Sequence, residues 1–152
     1  MPERRIIERA REDEREGKSP STQAGEFVRE EFHHIRQGKH GARSPQQAIA
    51  IGLSKARRAG VKLPPPHPGR VSRKIRRQAA RDYERGQHNG HGHVSGRRSR
   101  ATLGALRREG RQAASARAIS RQTQAMARRK TASERSASAR KAARTRKSAE
   151  KL

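Results

Sequence analysis

The sequence predicts a mainly α-helical protein: a small N-terminal three-helix module, a Pro-rich spacer, and a basic helical or disordered C-terminal region. Three observations carry this. Apolar residues recur at helical spacing through the first third of the chain. The run Leu63-Pro64-Pro65-Pro66-His67-Pro68-Gly69 cannot be helical and reads as a stiff extended segment. Leu, Ile, Val and Phe together supply 18 of 152 residues, about 12%, under the ~20% below which a highly charged chain is expected to be largely disordered. That count excludes one hydrophobic core running the full length.

The resulting organisation is residues 1–63 as a helical module, 64–69 as the linker, 70–96 as a short basic helix with a Gly/His loop, and 97–152 as a basic tail. Residues 2–16 alternate Glu, Asp and Arg around Ile6, Ile7 and Ala10, predicting a charge-laced helix that ends at Gly17. After a turn at Lys18 to Ser21, with Ser19 or Ser21 as cap, a second helix runs from Thr22 to about Gln37. Ala24, Val28, Phe32 and Ile35 form its apolar stripe, with Phe27 alongside and Gly38 as the stop. His33 and His34 read as surface residues of this helix.

The third helix is the best specified. Ser44 caps it, Pro45 suits a position that needs no backbone donor, Gln47 completes a Ser-x-x-Gln capping box, and Gly60 ends it. Ile49, Leu53 and Ala56 form one face, flanked by Ala48, Gly52 and Ala59, while Arg57 and Arg58 point away. The three helices are expected to share a core of Ile6, Ile7, Phe27, Val28, Phe32, Ile35, Ile49, Leu53, Val61 and Leu63. A module of this size buries little surface and is only marginally stable.

Beyond the spacer, Ser72 caps a helix from about Arg73 to Arg85 with a thin stripe of Ile75, Ala79 and Tyr83, and Gly86 ends it. The loop from Gln87 to Gly96 brings His88, His91 and His93 close together in sequence. Three imidazoles can bind Zn²⁺ or Ni²⁺, but no Cys or nearby acid completes a four-ligand set, so this is read as a polar linker and no metal or cofactor is expected. Residues 97–152 hold 18 Lys or Arg against Glu109, Glu134 and Glu150, set among Ala, Ser, Gln and Thr. This is the composition of a linker-histone tail: short amphipathic segments around Leu103, Leu106, Ile119 and Met126 that order when phosphates neutralise the arginines.

The run Arg43-Ser44-x-x-Gln47-Ala48-Ile49-Ala50-Ile51-x-Leu53-Ser54-x-Ala56 resembles the core motif of a group of short, basic bacterial proteins. That group is catalogued as a domain of unknown function, and some members are labelled DNA-binding. The likeness is close over residues 18 to 63, including Ser21-Thr22-Gln23-Ala24-Gly25-Glu26-Phe27-Val28, and weaker over 97 to 122. It implies a bacterial origin and a basic binding protein, and it brings no catalytic residues.

Charge is distributed unevenly. Residues 1–36 carry 9 acidic and 8 basic side chains, residues 37–152 carry 5 and 31, and the whole chain is +25. A polycation of this kind binds polyanions by releasing their condensed counterions, so nucleic acid is the expected partner, DNA before RNA. The cations assigned to contact it are Arg57, Arg58 and Lys62 by the third helix; Arg73, Lys74, Arg76 and Arg77 after the spacer; and Arg97, Arg98, Arg100, Arg107, Arg108, Arg128, Arg129 and Lys130 in the tail. Binding is expected to be largely sequence-independent, as in nucleoid-associated or plasmid-maintenance proteins. The alternatives are an RNA- or ribosome-associated protein, and a module whose N-terminal helices bind a protein partner or a second copy while the tail anchors it. Catalysis is not expected: there is no Cys, no Gly-x-x-x-x-Gly-Lys loop, and no carboxylate pair in an apolar setting. Without a signal-peptide stretch or a long apolar run, the expected location is the cytoplasm, at the nucleoid, with no membrane partner.

Overall fold

The structure, a computed structural model, describes residues 2–88 and 95–150. It is mainly α, and among the described residues there is no strand, only an isolated bridge between Pro68 and Val71. The helices are α1 (Arg4–Arg15), α2 (Pro20–Arg36), α3 (Pro45–Arg58), α4 (Arg73–Gln87), α5 (Gly96–Arg107), α6 (Ala116–Arg129) and α7 (Ala132–Ala149), with a 3₁₀ turn at Gln112–Ala114. They fall into two compact units, Met1–Ser115 and Ala116–Leu152.

In the first unit α2 is central, with α1, α3 and the 3₁₀ turn packed on it, while α4 packs on α3. Local signals set the ends of these helices. Gly17, Gly38 and Gly60 take positive φ after α1, α2 and α3. Ser44 Oγ accepts from Gln47 N at 3.2 Å, as the capping box requires, but the Gln47 carboxamide reaches back to Arg43 N at 2.6 Å rather than to the cap residue itself. Ser72 Oγ accepts from Ile75 N and begins α4. Ser19 sits at the start of α2 without capping a backbone donor; its hydroxyl lies 3.0 Å from those of Ser21 and Thr22.

The single expected core is divided into two clusters. Ile6, Ala10, Ala24, Phe27, Ala56 and Val61 form the first, with Ile7, Leu53, Ala59 and Leu63 at its edge. Ile35, Ala42, Ala48, Ala113 and Ala114 form the second, with Phe32 beside it. The second cluster draws on residues 113 and 114, which the sequence reading assigned to the tail. They are held by the chain around them: Gly41 N donates to Leu106 O at 2.9 Å, Ala42 N donates to Gly110 O at 3.1 Å, and Arg36 Nε donates to Ala114 O at 2.9 Å. Alanine and glycine do much of this packing, and the scarcity of Leu, Ile, Val and Phe does not register them. The proline segment likewise joins two packed helices, because α4 folds back onto α3 across it.

Two glycines show how closely the backbones approach. A Cβ on Gly52 would lie 2.7 Å from Val28 Cα, and one on Gly86 would overlap the Arg57 carbonyl oxygen. Gly86 was expected to stop α4; instead the helix runs on to Gln87, and Gly86 is its contact with the end of α3. Gly52→Ala gains about 1 kcal/mol of helix propensity but forces α2 and α3 apart, at an overpacking cost of about 1–3 kcal/mol. The expected net result is a loss of about 1 kcal/mol and a melting temperature several degrees lower, measured by circular dichroism.

The second unit comprises α6 and α7. Thr131 starts α7 with a complete capping box: Thr131 Oγ1 accepts from Glu134 N at 3.2 Å, and Glu134 Oε2 accepts from Thr131 N at 2.8 Å. Neither helix buries a residue. A region expected to be loose when free is thus helical over most of its described length, as its alanine content and this cap favour.

Candidate nucleic-acid interface

The assigned cations do not share one environment. Arg57, expected to face solvent, is only 6% exposed. Its Nε donates to Leu63 O at 3.1 Å and its Nη2 to Pro64 O at 3.3 Å, so the guanidinium fastens the proline segment to α3. Burial pushes its pKa down, with Asp82 opposing. Arg58 bonds to Ser54 O and lies 3.9 Å from Asp82, while Lys62 pairs with Glu14 at 3.0 Å. Asp82 is itself buried and accepts from Ser54 Oγ at 2.6 Å and Gln78 Nε2 at 3.1 Å, so α4 turns Ala79 and Asp82 toward α3 and leaves Ile75 exposed. The cations next to α3 are therefore engaged by the fold.

Arg57→Ala is expected to cost about 1–3 kcal/mol of stability, because two backbone carbonyls lose a charged donor. Thermal unfolding checks this.

Elsewhere the cations stand clear. Arg73, Lys74 and Arg77 are exposed in the first turns of α4, with Arg76 beside them reaching Pro66 O at 3.2 Å. Arg97, Arg98 and Arg100 occupy the first turns of α5; Arg107 and Arg108 follow at its end; Arg128 and Arg129 close α6. Among the described residues none of these side chains has a carboxylate oxygen within 4.0 Å. Lys130 is exposed and donates to Ser138 Oγ. Cations in a first turn oppose the helix dipole, while a phosphate bound there is favoured by both the free N–H groups and the guanidinium groups.

Of the Gly/His loop, His88 ends α4 as an exposed residue, and His91 and His93 lie outside the described residues. Sequence reasoning missed a different group. His34, read as a surface residue, is buried, as are Glu30, Glu31 and His40. Residues 27, 30, 31 and 34 fall on one face of α2 at i, i+3, i+4, i+7 spacing, a signal present in the sequence but hidden when only apolar residues are counted.

No helix among the described residues is long and apolar enough to cross a membrane. No curated protein and no solved structure matches the chain. The stretch comprising α2, the loop after it, α3 and the start of the proline segment does have counterparts: residues 17–67 match a family of unknown function (DUF6496).

Proposed function

We propose that the protein binds nucleic acid without catalysis, duplex DNA in preference to RNA, and largely without regard to sequence, in the manner of a nucleoid-associated or plasmid-maintenance protein. The observation that carries this reading is the set of exposed arginines on α4, α5 and α6 that lack a neighbouring carboxylate, in a chain of net charge +25. Their role is Coulombic, and arginine's planar fork adds bidentate phosphate contacts. The second unit supports the same reading. Residues 116–152 carry 12 basic and 2 acidic side chains, and most residues of α6 and α7 are exposed within their unit, with none buried. Ordering of this region is completed on the nucleic acid, where phosphates offset its self-repulsion.

The test is fluorescence anisotropy with two duplexes of unrelated sequence and a structured RNA at matched salt. Equal affinity for the two duplexes, and weaker binding of the RNA, is the expected result. A preference of about 10³-fold or more for one duplex, as site-specific proteins have, or no binding to either, overturns the proposal. Tighter binding of the RNA assigns the protein to the RNA- or ribosome-associated class.

A further inference from the structure

We propose that Glu31, His34 and His40 form a binding site for a borderline divalent cation, Zn²⁺ in the first instance. The site lies between α2 and the loop that leads into α3, apart from the exposed arginines.

Geometry comes first. One ligand atom from each of Glu31, His34 and His40 lies within 4.8 Å of the other two, and the same holds for Glu3, Glu30 and His34, so His34 belongs to two overlapping trios. Glu31 is fully buried, and Glu30, His34 and His40 are each more than nine-tenths buried. Glu31 and His34 stand at i, i+3 on α2, the carboxylate and imidazole spacing that helical bundles use to present ligands to an ion.

The second observation is what these groups lack. Glu31 Oε2 accepts from Lys55 Nζ at 2.6 Å, but Glu31 Oε1 has no hydrogen-bond partner, and neither has Glu30 Oε2. Glu30 Oε1 is taken by Glu3 N at 2.8 Å. A buried carboxylate oxygen without a partner is costly, and a bound ion is one of the few things that explains it.

His40 sharpens the point. Its Nδ1 lies 3.0 Å from Gly41 O, which can only accept, so Nδ1 carries the proton. In the neutral ring Nε2 is then a lone pair, 2.9 Å from Glu31 Oε1 but outside hydrogen-bond alignment. Two lone pairs facing one another at that distance repel, and a cation touching both turns the repulsion into ligation. A ligating imidazole whose other N–H donates to a backbone carbonyl is also the usual supporting arrangement at metal sites.

Charge and donor type select the ion. Glu31 pairs with Lys55, and Glu3 with Lys39, Arg5 and His34 Nε2, while Glu30 has no Lys or Arg nitrogen within 4.0 Å among the described residues and adds negative charge beside His34. Lys55 occupies the far oxygen of Glu31 and does not obstruct Oε1. Two nitrogens with carboxylate oxygens suit Zn²⁺ far better than Mg²⁺ or Ca²⁺. Because the donors come from α2 and the following loop, binding ties that loop down and stabilises the fold.

The test is Zn²⁺ titration of the full chain carrying His88→Ala, His91→Ala and His93→Ala, which removes the competing histidine loop. Calorimetry is expected to show one ion per chain and a higher melting temperature with Zn²⁺. His34→Gln and His40→Gln in that background are each expected to weaken binding by more than about 10-fold. To keep the result independent of variants that fold poorly, imidazole ¹⁵N resonances are followed in the unsubstituted chain, where Zn²⁺ should shift those of His34 and His40. No binding by the triple variant, or shifts confined to His88, His91 and His93, overturns the proposal; Glu31 is then held by Lys55 and a protonated His40 alone.

Discussion

Raising the salt concentration from 50 to 200 mM is expected to weaken the complex with duplex DNA by about 10³- to 10⁵-fold, the response of a protein that neutralises about 6 to 10 phosphates. The structure divides the cations that set this slope from those that do not. Arg73, Lys74 and Arg77 are exposed on the first turns of α4, and replacing all three with Gln is expected to lower the slope of log K against log salt by about 2.7, near 0.9 for each contact. Arg57→Gln should leave the slope unchanged, because its guanidinium is turned inward to Leu63 O and Pro64 O. Lys62, opposite Glu14, should contribute less than a full contact. Gel-shift titrations over four salt concentrations read the triple variant, Arg57→Gln and Lys62→Gln. A flat response in the unsubstituted protein sinks phosphate neutralisation as the mechanism, and an Arg57 variant as salt-altered as the triple variant contradicts the division drawn here.

How much of this was legible in the chain depended on the distance over which each residue acts. Ser44, Pro45, Ser72 and Gly60 act within four residues, through capping hydrogen bonds or a positive φ, and the helix ends they predict are found. Arg57 reaches past the end of its own helix to Leu63 and Pro64, and Gly86 acts on Arg57, about thirty residues away in the chain. Nothing local distinguishes an arginine that fastens a proline segment from one that faces solvent, or a glycine that ends a helix from one that receives a neighbouring carbonyl. The core was legible at Ile6, Phe27 and Ile35, overdrawn at Val28 and Ile49, which are half-buried and lie in neither cluster, and illegible at Ala42, Ala113 and Ala114, because alanine sits equally well on an exposed surface. The buried face of α2 was missed because charge was read as exposure. Glu31 and His34 follow Phe27 around the helix at core spacing, and their burial depends on Lys55 from α3 and on His40, neither of which the local pattern announces.

The Glu31 carboxylate is expected to be the least replaceable side chain of the first unit. Glu31→Ala removes the partner of Lys55 Nζ at 2.6 Å and the neighbour of His40 Nε2 at 2.9 Å, and it leaves a cavity where a fully buried side chain stood. Breaking one side of a buried pair costs about 3–5 kcal/mol, comparable with the whole stability of a small helical unit, so the variant should be largely unfolded at 37 °C. Lys55→Met alone also leaves a buried charge without its partner and should cost somewhat less, since Lys55 lies nearer the surface. Glu31→Met with Lys55→Met exchanges the pair for apolar groups of similar volume, and such exchanges are often neutral in stability. The double variant is therefore expected to regain most of what Glu31→Ala loses while losing any affinity for Zn²⁺. Urea unfolding of the three variants, with and without Zn²⁺, separates the two roles of this residue. If the double variant is as unstable as Glu31→Ala, Glu31 acts through His34 and His40 rather than through Lys55, and the ion pair is not what holds α2 to α3.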